Sequence, residues 1–194
     1  MAARRGRPPK SAVSLTREAI IATALDLVEG SPGGLSLRAL AAALSVTPMA
    51  LYPHIGDLDG LLEAMAERCF KEGSAQDDCG EDHDLRDFLL WYCGRVLRYP
   101  GLTAAIVARH GALPAPHQAW TDAVTRCLTD RDVPLLWRDV LVDHLHGYAL
   151  ATAASGAEPD ATLAVYAQHV DLLLNTLSRH AAKGSRQALT SRPS

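Results

Sequence analysis

A chain of 194 residues with 48% hydrophobic side chains and a formal charge of -3 can bury one large core or two small ones and is too apolar for intrinsic disorder. No apolar run reaches the ~18 residues of a membrane span, and charges stand where a secretory signal needs an apolar stretch, so a membrane protein is excluded and a reducing cytoplasm is the expected compartment. Residues 1–55 hold six basic side chains (Arg4, Arg5, Arg7, Lys10, Arg17, Arg38) against three acidic ones (Glu18, Asp26, Glu29), which makes this part +3 and the remainder -6, the pattern of a head that meets a polyanion on a body with another task.

Residues 1–13 combine Gly6, Pro8 and Pro9 with four of the basic residues and almost nothing apolar, and predict a flexible basic arm. Thr16 can cap a first helix over about 16–29, with Glu18 in its first turn and Ile20, Ala24, Leu27 and Val28 at helical spacing, until Gly30, Pro32 and Gly33 stop it. Ser36 caps a short second helix with Leu37, Leu40, Ala41 and Leu44 on one face, ended by Ser45-Val46. Thr47 and Pro48 read as the cap and first position of a third short helix through Met49, Leu51 and Tyr52, because the missing N–H of proline costs nothing there. Asp57 then caps a longer helix carrying Leu58, Leu61, Leu62, Met65 and Phe70, which links head to body.

After a Gly/Asp-rich break at 73–84, Leu85, Phe88, Leu89, Tyr92, Cys93 and Val96 define a helix closed by Pro100-Gly101. Further helices are predicted at about 101–110, 117–129, 134–155 and 159–180, separated by Pro114-Ala115-Pro116, Pro134 and Pro159, with a disordered tail from Lys183. The last of these helices is apolar on two faces: Leu163, Tyr166, Val170, Leu173, Leu174 and Leu177 form one, and Val165, His169, Leu172 and Thr176 the other. In so small a body, two buried faces point to a partner subunit. The four cysteines, at spacings of 10, 14 and 34 with no C-x-x-C pair, argue against structural zinc and against a disulfide framework.

Two short helices across a tight turn form a helix-turn-helix, whose second helix offers its N-terminal residues to base edges in the major groove. The stretch from Ser36 to Leu62, SLRALAAALSVTPMALYPHIGDLDGLL, resembles the DNA-binding domain of the TetR family, most specifically in VTPMALYPHI followed by a capped helix with paired leucines. The resemblance covers residues 14–65, and the arm RRGRPPK is similar to the arginine-rich extension of many members and to an AT-hook core. It implies that Tyr52 contacts a phosphate or thymine methyl and His54 a phosphate, that Thr47, Pro48, Met49 and Ala50 face the bases, and that Ser36 and Arg38 hold the flanking phosphate. Arg4, Arg5, Arg7 and Lys10 would follow the backbone into an A·T-rich minor groove. Removing residues 1–10 is therefore expected to lower DNA affinity at least tenfold and to flatten its salt dependence. Two departures stand out: Leu58, between Asp57 and Asp59, replaces the phosphate-binding lysine usual in the family, and Pro53 removes one helical hydrogen bond and predicts an early end to the reading helix.

The resemblance implies an all-α architecture of about nine helices: a basic arm (1–13), a three-helix helix-turn-helix domain (14–56), a ligand-binding and dimerisation domain (57–182) and a tail (183–194). It also implies the partners, namely a palindromic double-stranded operator, a second copy of the chain and a small-molecule inducer whose preference for the splayed state releases DNA. Candidates for the ligand site are His110, Trp120, Asp143, His144 and Tyr148, and for the dimer interface Val140, Tyr166, His169, Val170, Leu173 and Leu177. His144 and Tyr148 read equally well as hydrogen-bonded core or interface residues. No cofactor, metal or catalytic residue is assigned. His144 and His146 on one helix point about 200° apart and cannot share a metal, and no nucleophile elbow or phosphate loop is present. A DNA-binding or architectural factor without a ligand is the first alternative, favoured by a body with no pocket above ~300 Å³, and a metal-dependent enzyme is the remote one. The resemblance implies a repressor released from DNA by its inducer, with activation as the other outcome that DNA contact alone allows.

Overall fold

The computed structural model describes residues 15–29, 35–70, 85–109, 113–131 and 133–190, with side chains through Arg179. Arg4, Arg5, Arg7, Lys10 and His110 lie outside the described residues. Within them the chain is helical throughout: α1 (Arg17–Val28), α2 (Leu37–Ala43), a 3-10 turn (Pro48–Ala50), α3 (Tyr52–Ile55), α4 (Leu58–Phe70), α5 (Leu85–Arg98), α6 (Pro100–Val107), α7 (Ala115–Thr129), α8 (Leu136–Ala154) and α9 (Pro159–Thr190).

The head follows its capping residues. Thr16 accepts the Ala19 N–H at 3.1 Å and Ser36 accepts the Ala39 N–H at 3.1 Å, which satisfies one orphan donor at each helix start. Ile20, Ala24 and Val28 of α1 and Leu40 and Ala41 of α2 are buried together. Helix α2 stops in two backbone bonds, from Ser45 N to the Ala42 carbonyl at 3.1 Å and from Val46 N to the Ala41 carbonyl at 2.9 Å. This is the paired C-terminal closure in which the first residue past the cap turns left-handed. Ser45 does so with φ +56.

Helix α4 ties head to body. Its cap is Asp57, whose Oδ1 accepts the Gly60 N–H at 2.8 Å, and its buried face runs through Leu61, Met65 and Cys69 to Phe70. A Cβ on Gly60 would fall 2.5 Å from the Ile55 carbonyl oxygen, so only glycine lets α4 lie this close to the end of α3. Polar contacts reinforce the junction: Arg98 pairs with Glu29 at 2.9 Å, Arg109 donates to Asp59 at 2.7 Å, and Glu63 accepts the N–H of Ala115 at the start of α7. One continuous apolar core runs from α1 into the body.

In the body α5 is central, packing on α8 and α9, while α7 covers α4 and α8. The break at Pro100-Gly101 falls where it is expected, between α5 and α6, and Pro100 takes the first position of α6, where its lack of an N–H is harmless. Two expectations need correction. Helix α9 continues through Lys183 to Thr190, where a tail is expected. Cys69 and Cys93 are free and buried, with burial pushing both thiols up to about 12. Cys127, by contrast, is disulfide-bonded, where the spacing argues against a disulfide framework.

Candidate nucleic-acid interface and internal cavity

The reading segment from Thr47 to Ile55 is held down by two anchors, Leu51 and Ile55, both in the core. Between and before them the chain turns outward. Thr47, Pro48, Tyr52 and Pro53 are exposed, Met49 is 74% exposed, and Ala50 and His54 are half-buried. A solvent-facing methionine beside a tyrosine is apolar surface that core packing does not explain. The segment is not one helix. A 3-10 turn, closed from Ala50 N to the Thr47 carbonyl and from Leu51 N to the Pro48 carbonyl, passes into α3, closed from Ile55 N to the Leu51 carbonyl. Pro53 has no N–H to return to the preceding turn, so the ladder breaks between the two pieces, and within α3 it occupies the first turn at no further cost. Gly56 then ends α3.

The residues around the absent lysine have other work. Leu58 packs on the core, Asp57 caps α4, and Asp59 pairs with Arg109 of the body. Arg38 is exposed at the start of α2, next to the capping Ser36.

The ligand and interface candidates of the body separate into different places. Trp120 is buried and lies flat on Tyr92, centroids 3.8 Å apart, with Phe88 on its other flank at 5.9 Å. Asp143 is exposed. His144 turns toward α9, where it stacks on Tyr166 at 5.8 Å and meets His169 at 5.3 Å, while Tyr148 donates its hydroxyl to the Thr162 carbonyl at 3.2 Å. His146 turns the other way, toward Tyr92 at 5.7 Å and Trp120 at 6.3 Å. The two histidines therefore diverge as their spacing on one helix requires.

Helix α9 shows its two faces, but with the interface candidates divided between them. Tyr166, Val170 and Leu177 are buried inside the subunit and Leu173 packs against the same core, so these four serve the protomer itself. The outward apolar residues are Val165 (44% exposed) and Leu172 (64%) of α9, with Leu136 and Val140 of α8. His169, half-buried, stands at their edge.

Sequence reasoning missed the cavity. About 170 Å³ of space lies among α5, α6, α7 and α8, walled by Tyr92, Ile106, Val107, Leu113 and Val142 and reached by Thr103, His117, Thr121 and His146. Nδ1 and Nε2 of His117 and Oγ1 of Thr103 are buried with no hydrogen-bond partner among the described residues. Each such atom costs roughly 1–3 kcal/mol. Burial lowers the His117 pKa from 6.5 to about 4, with the neighbouring His146 adding to the effect, so the ring is neutral at pH 7. His146 is held by its Nδ1–H on the Val142 carbonyl at 3.0 Å, which leaves Nε2 to accept from the Tyr92 hydroxyl at 3.4 Å. Phe70, at the end of α4, closes the far side of His117 with ring centroids 4.5 Å apart. The one signal in the sequence was a histidine just inside the Pro114-Ala115-Pro116 helix start.

Known structures share this fold. TetR from Acinetobacter baumannii AYE superposes with a TM-score of 0.62 at 24% identity, over 87% of this chain and 99% of that one, both in a structure of the protein alone and in a variant in complex with minocycline. A possible TetR family transcriptional regulator from Streptomyces coelicolor A3(2) gives 0.55 at 21% identity, over 84% and 98%. The fold is that of the TetR-family regulators. BioQ also shares it, with a TM-score of 0.60 at 16% identity, over 85% of this chain and 99% of its own. The chain matches no protein-family model and no curated protein sequence. Among the described residues no helix is long and apolar enough to cross a membrane.

Proposed function

We propose that the chain is a cytoplasmic, homodimeric transcriptional regulator that grips a palindromic operator through Thr47–His54 and changes its grip when a small molecule enters the body. The observation that carries this reading is the path of α4. Its first turn lies against the Ile55 carbonyl at the end of the reading segment, and its last residue, Phe70, lies against His117 at the cavity. A displacement at one end of so short a helix is transmitted to the other, because packed helices shift as units.

At the DNA, Met49 and Ala50 offer apolar contact to thymine methyls and Thr47 its hydroxyl, while Tyr52 and His54 hold phosphates and fix register. Ser36 keeps its own O–H to donate beside Arg38. The basic arm, Arg4 to Lys10, replaces the backbone contact that Leu58 cannot make. Dimerisation uses the outward faces of α8 and α9, centred on Val140, Val165, His169 and Leu172. Two-fold pairing sets the heads about 34–36 Å apart for successive major grooves, and a ligand that favours another spacing ends binding.

A cavity of about 170 Å³ lies below the ~300 Å³ of an ordinary ligand pocket. This favours either a regulator without an effector or one whose effector is unusually small. Selection of bound duplexes from random DNA, followed by gel shifts, tests the reading: a palindrome with A·T-rich flanks is expected, and the absence of any sequence preference at moderate salt would refute it.

A further inference from the structure

We propose that the cavity among α5, α6, α7 and α8 takes a neutral molecule of one aromatic ring bearing a single hydroxyl, amine or carbonyl group. The inference rests on the regulator reading above and gives the effector its chemical class.

Size sets the first limit. An apolar cavity of about 150 Å³ accepts benzene, so about 170 Å³ holds one ring and a small substituent, far short of the fused rings of a compound such as minocycline. Shape sets the second. The Tyr92 ring is fixed flat against Trp120 at 3.8 Å, and the His117 ring stands perpendicular to it at 6.0 Å and 87°. Two rigid aromatic walls at right angles suit a third ring, which can meet one face-on and the other by its edge.

Charge sets the third limit. Among the described residues that line the cavity there is no Asp, Glu, Lys or Arg, and an ionised ligand would lose its water with no counter-charge to replace it. Hydrogen bonding sets the fourth. His117, 4% exposed, and Thr103, 1% exposed, bring three polar atoms to the site with no partner among the described residues. Neutral imidazole supplies one donor and one acceptor, and the threonine hydroxyl supplies either. A phenol-type hydroxyl donates to one and accepts from another, while a plain hydrocarbon leaves all three unpaired, and sites of this kind discriminate strongly against the analogue that lacks the polar group. The same His117 touches Phe70 of α4, so a ring seated here bears directly on the helix that carries the reading segment.

Calorimetric titration of the full chain at pH 7 with phenol, toluene and benzoate tests the proposal. Phenol is expected to bind one site per chain at least tenfold more tightly than toluene or benzoate. His117→Phe should weaken phenol at least fivefold and leave toluene within twofold. Thr103→Val should move phenol in the same direction and serves if the first variant does not fold. Failure of every single-ring probe to bind saturably, benzoate binding as tightly as phenol, or phenol binding untouched in the folded variants would overturn it. Duplex selection separates the two readings. Phenol binding without sequence-specific DNA binding keeps the cavity and breaks the regulator, and sequence-specific DNA binding without phenol binding breaks this inference alone.

Discussion

The head and the body solve opposite problems with the same helical material. The head puts its chemistry outside: Met49 and Tyr52 face solvent while Leu51 and Ile55, beside them in the chain, hold the segment down. The body puts its chemistry inside, with His117, Thr103 and Trp120 buried and short of hydrogen-bond partners among the described residues. An exposed edge keeps its polar groups hydrated, so it costs the free protein little. A buried, unsatisfied wall costs stability all the time, and such a cost is usually retained where a ligand relieves it.

The sharpest way to break this contrast is to separate the two heads. Val165→Glu with Leu172→Glu places charge on the outward face of α9 without touching the buried Tyr166 and Val170. The variant is expected to sediment as a folded monomer, and its operator affinity should fall about a hundredfold or more, because the second head no longer binds as part of one molecule. An unchanged dimer would move the interface elsewhere.

Acid tests the body alone. His117 has a folded pKa of about 4 against 6.5 when exposed, so the unfolded chain binds the proton first. Stability from the neutral ring is complete above pH 6.5 and is lost as the pH falls toward 4, by about 3 kcal/mol if this histidine acts alone. His144 and His146, lowered chiefly by burial, act in the same direction. Urea unfolding across this window should show the loss, and His117→Phe should flatten it. A wild-type profile level from pH 7 to 5 would mean that His117 is hydrated rather than buried.

The contrast also explains what the sequence disclosed. The head is contiguous: Thr16, Ser36 and Asp57 are caps, Thr47-Pro48 is a helix start, and all act within four residues of themselves, so spacing rules find them. The cavity draws Tyr92, Thr103, His117 and His146 from four helices, and no rule of spacing brings these together before the tertiary packing does. Trp120 could be singled out as a large polar-tipped residue in an amphipathic helix, and it does lie behind the cavity wall, yet His144 and Tyr148 face α9 instead. The interface candidates divide between two faces for a related reason. Both faces of α9 are apolar in sequence, and only the position of α5 decides which one is already covered.

Gly60 joins the two regions, though no spacing rule marks it. Gly60→Ala forces a Cβ to 2.5 Å from the Ile55 carbonyl, where backbone rather than a flexible side chain must yield. A loss of about 2 kcal/mol is expected in urea unfolding, together with weaker operator binding and a shifted phenol affinity, because the same helix meets His117 through Phe70. Loss of phenol binding alone would show that the α4 start supports the cavity and not the head.

The smallest effect sharpens the comparison by improving one side of it. Ser45 adopts φ +56 at the position after the α2 cap, where glycine is usual, and its side chain is exposed. Ser45→Gly relieves the strain of a left-handed residue but raises the entropy of the unfolded chain, and the first effect is the larger. A net gain of about 0.5 kcal/mol follows, or roughly 1–2 °C in Tm for a chain of this size. Because the turn sets the angle at which the reading segment leaves α2, operator affinity should hold or rise slightly, and phenol affinity should not move at all. A change in the body would show that the two regions are coupled through the turn as well as through α4.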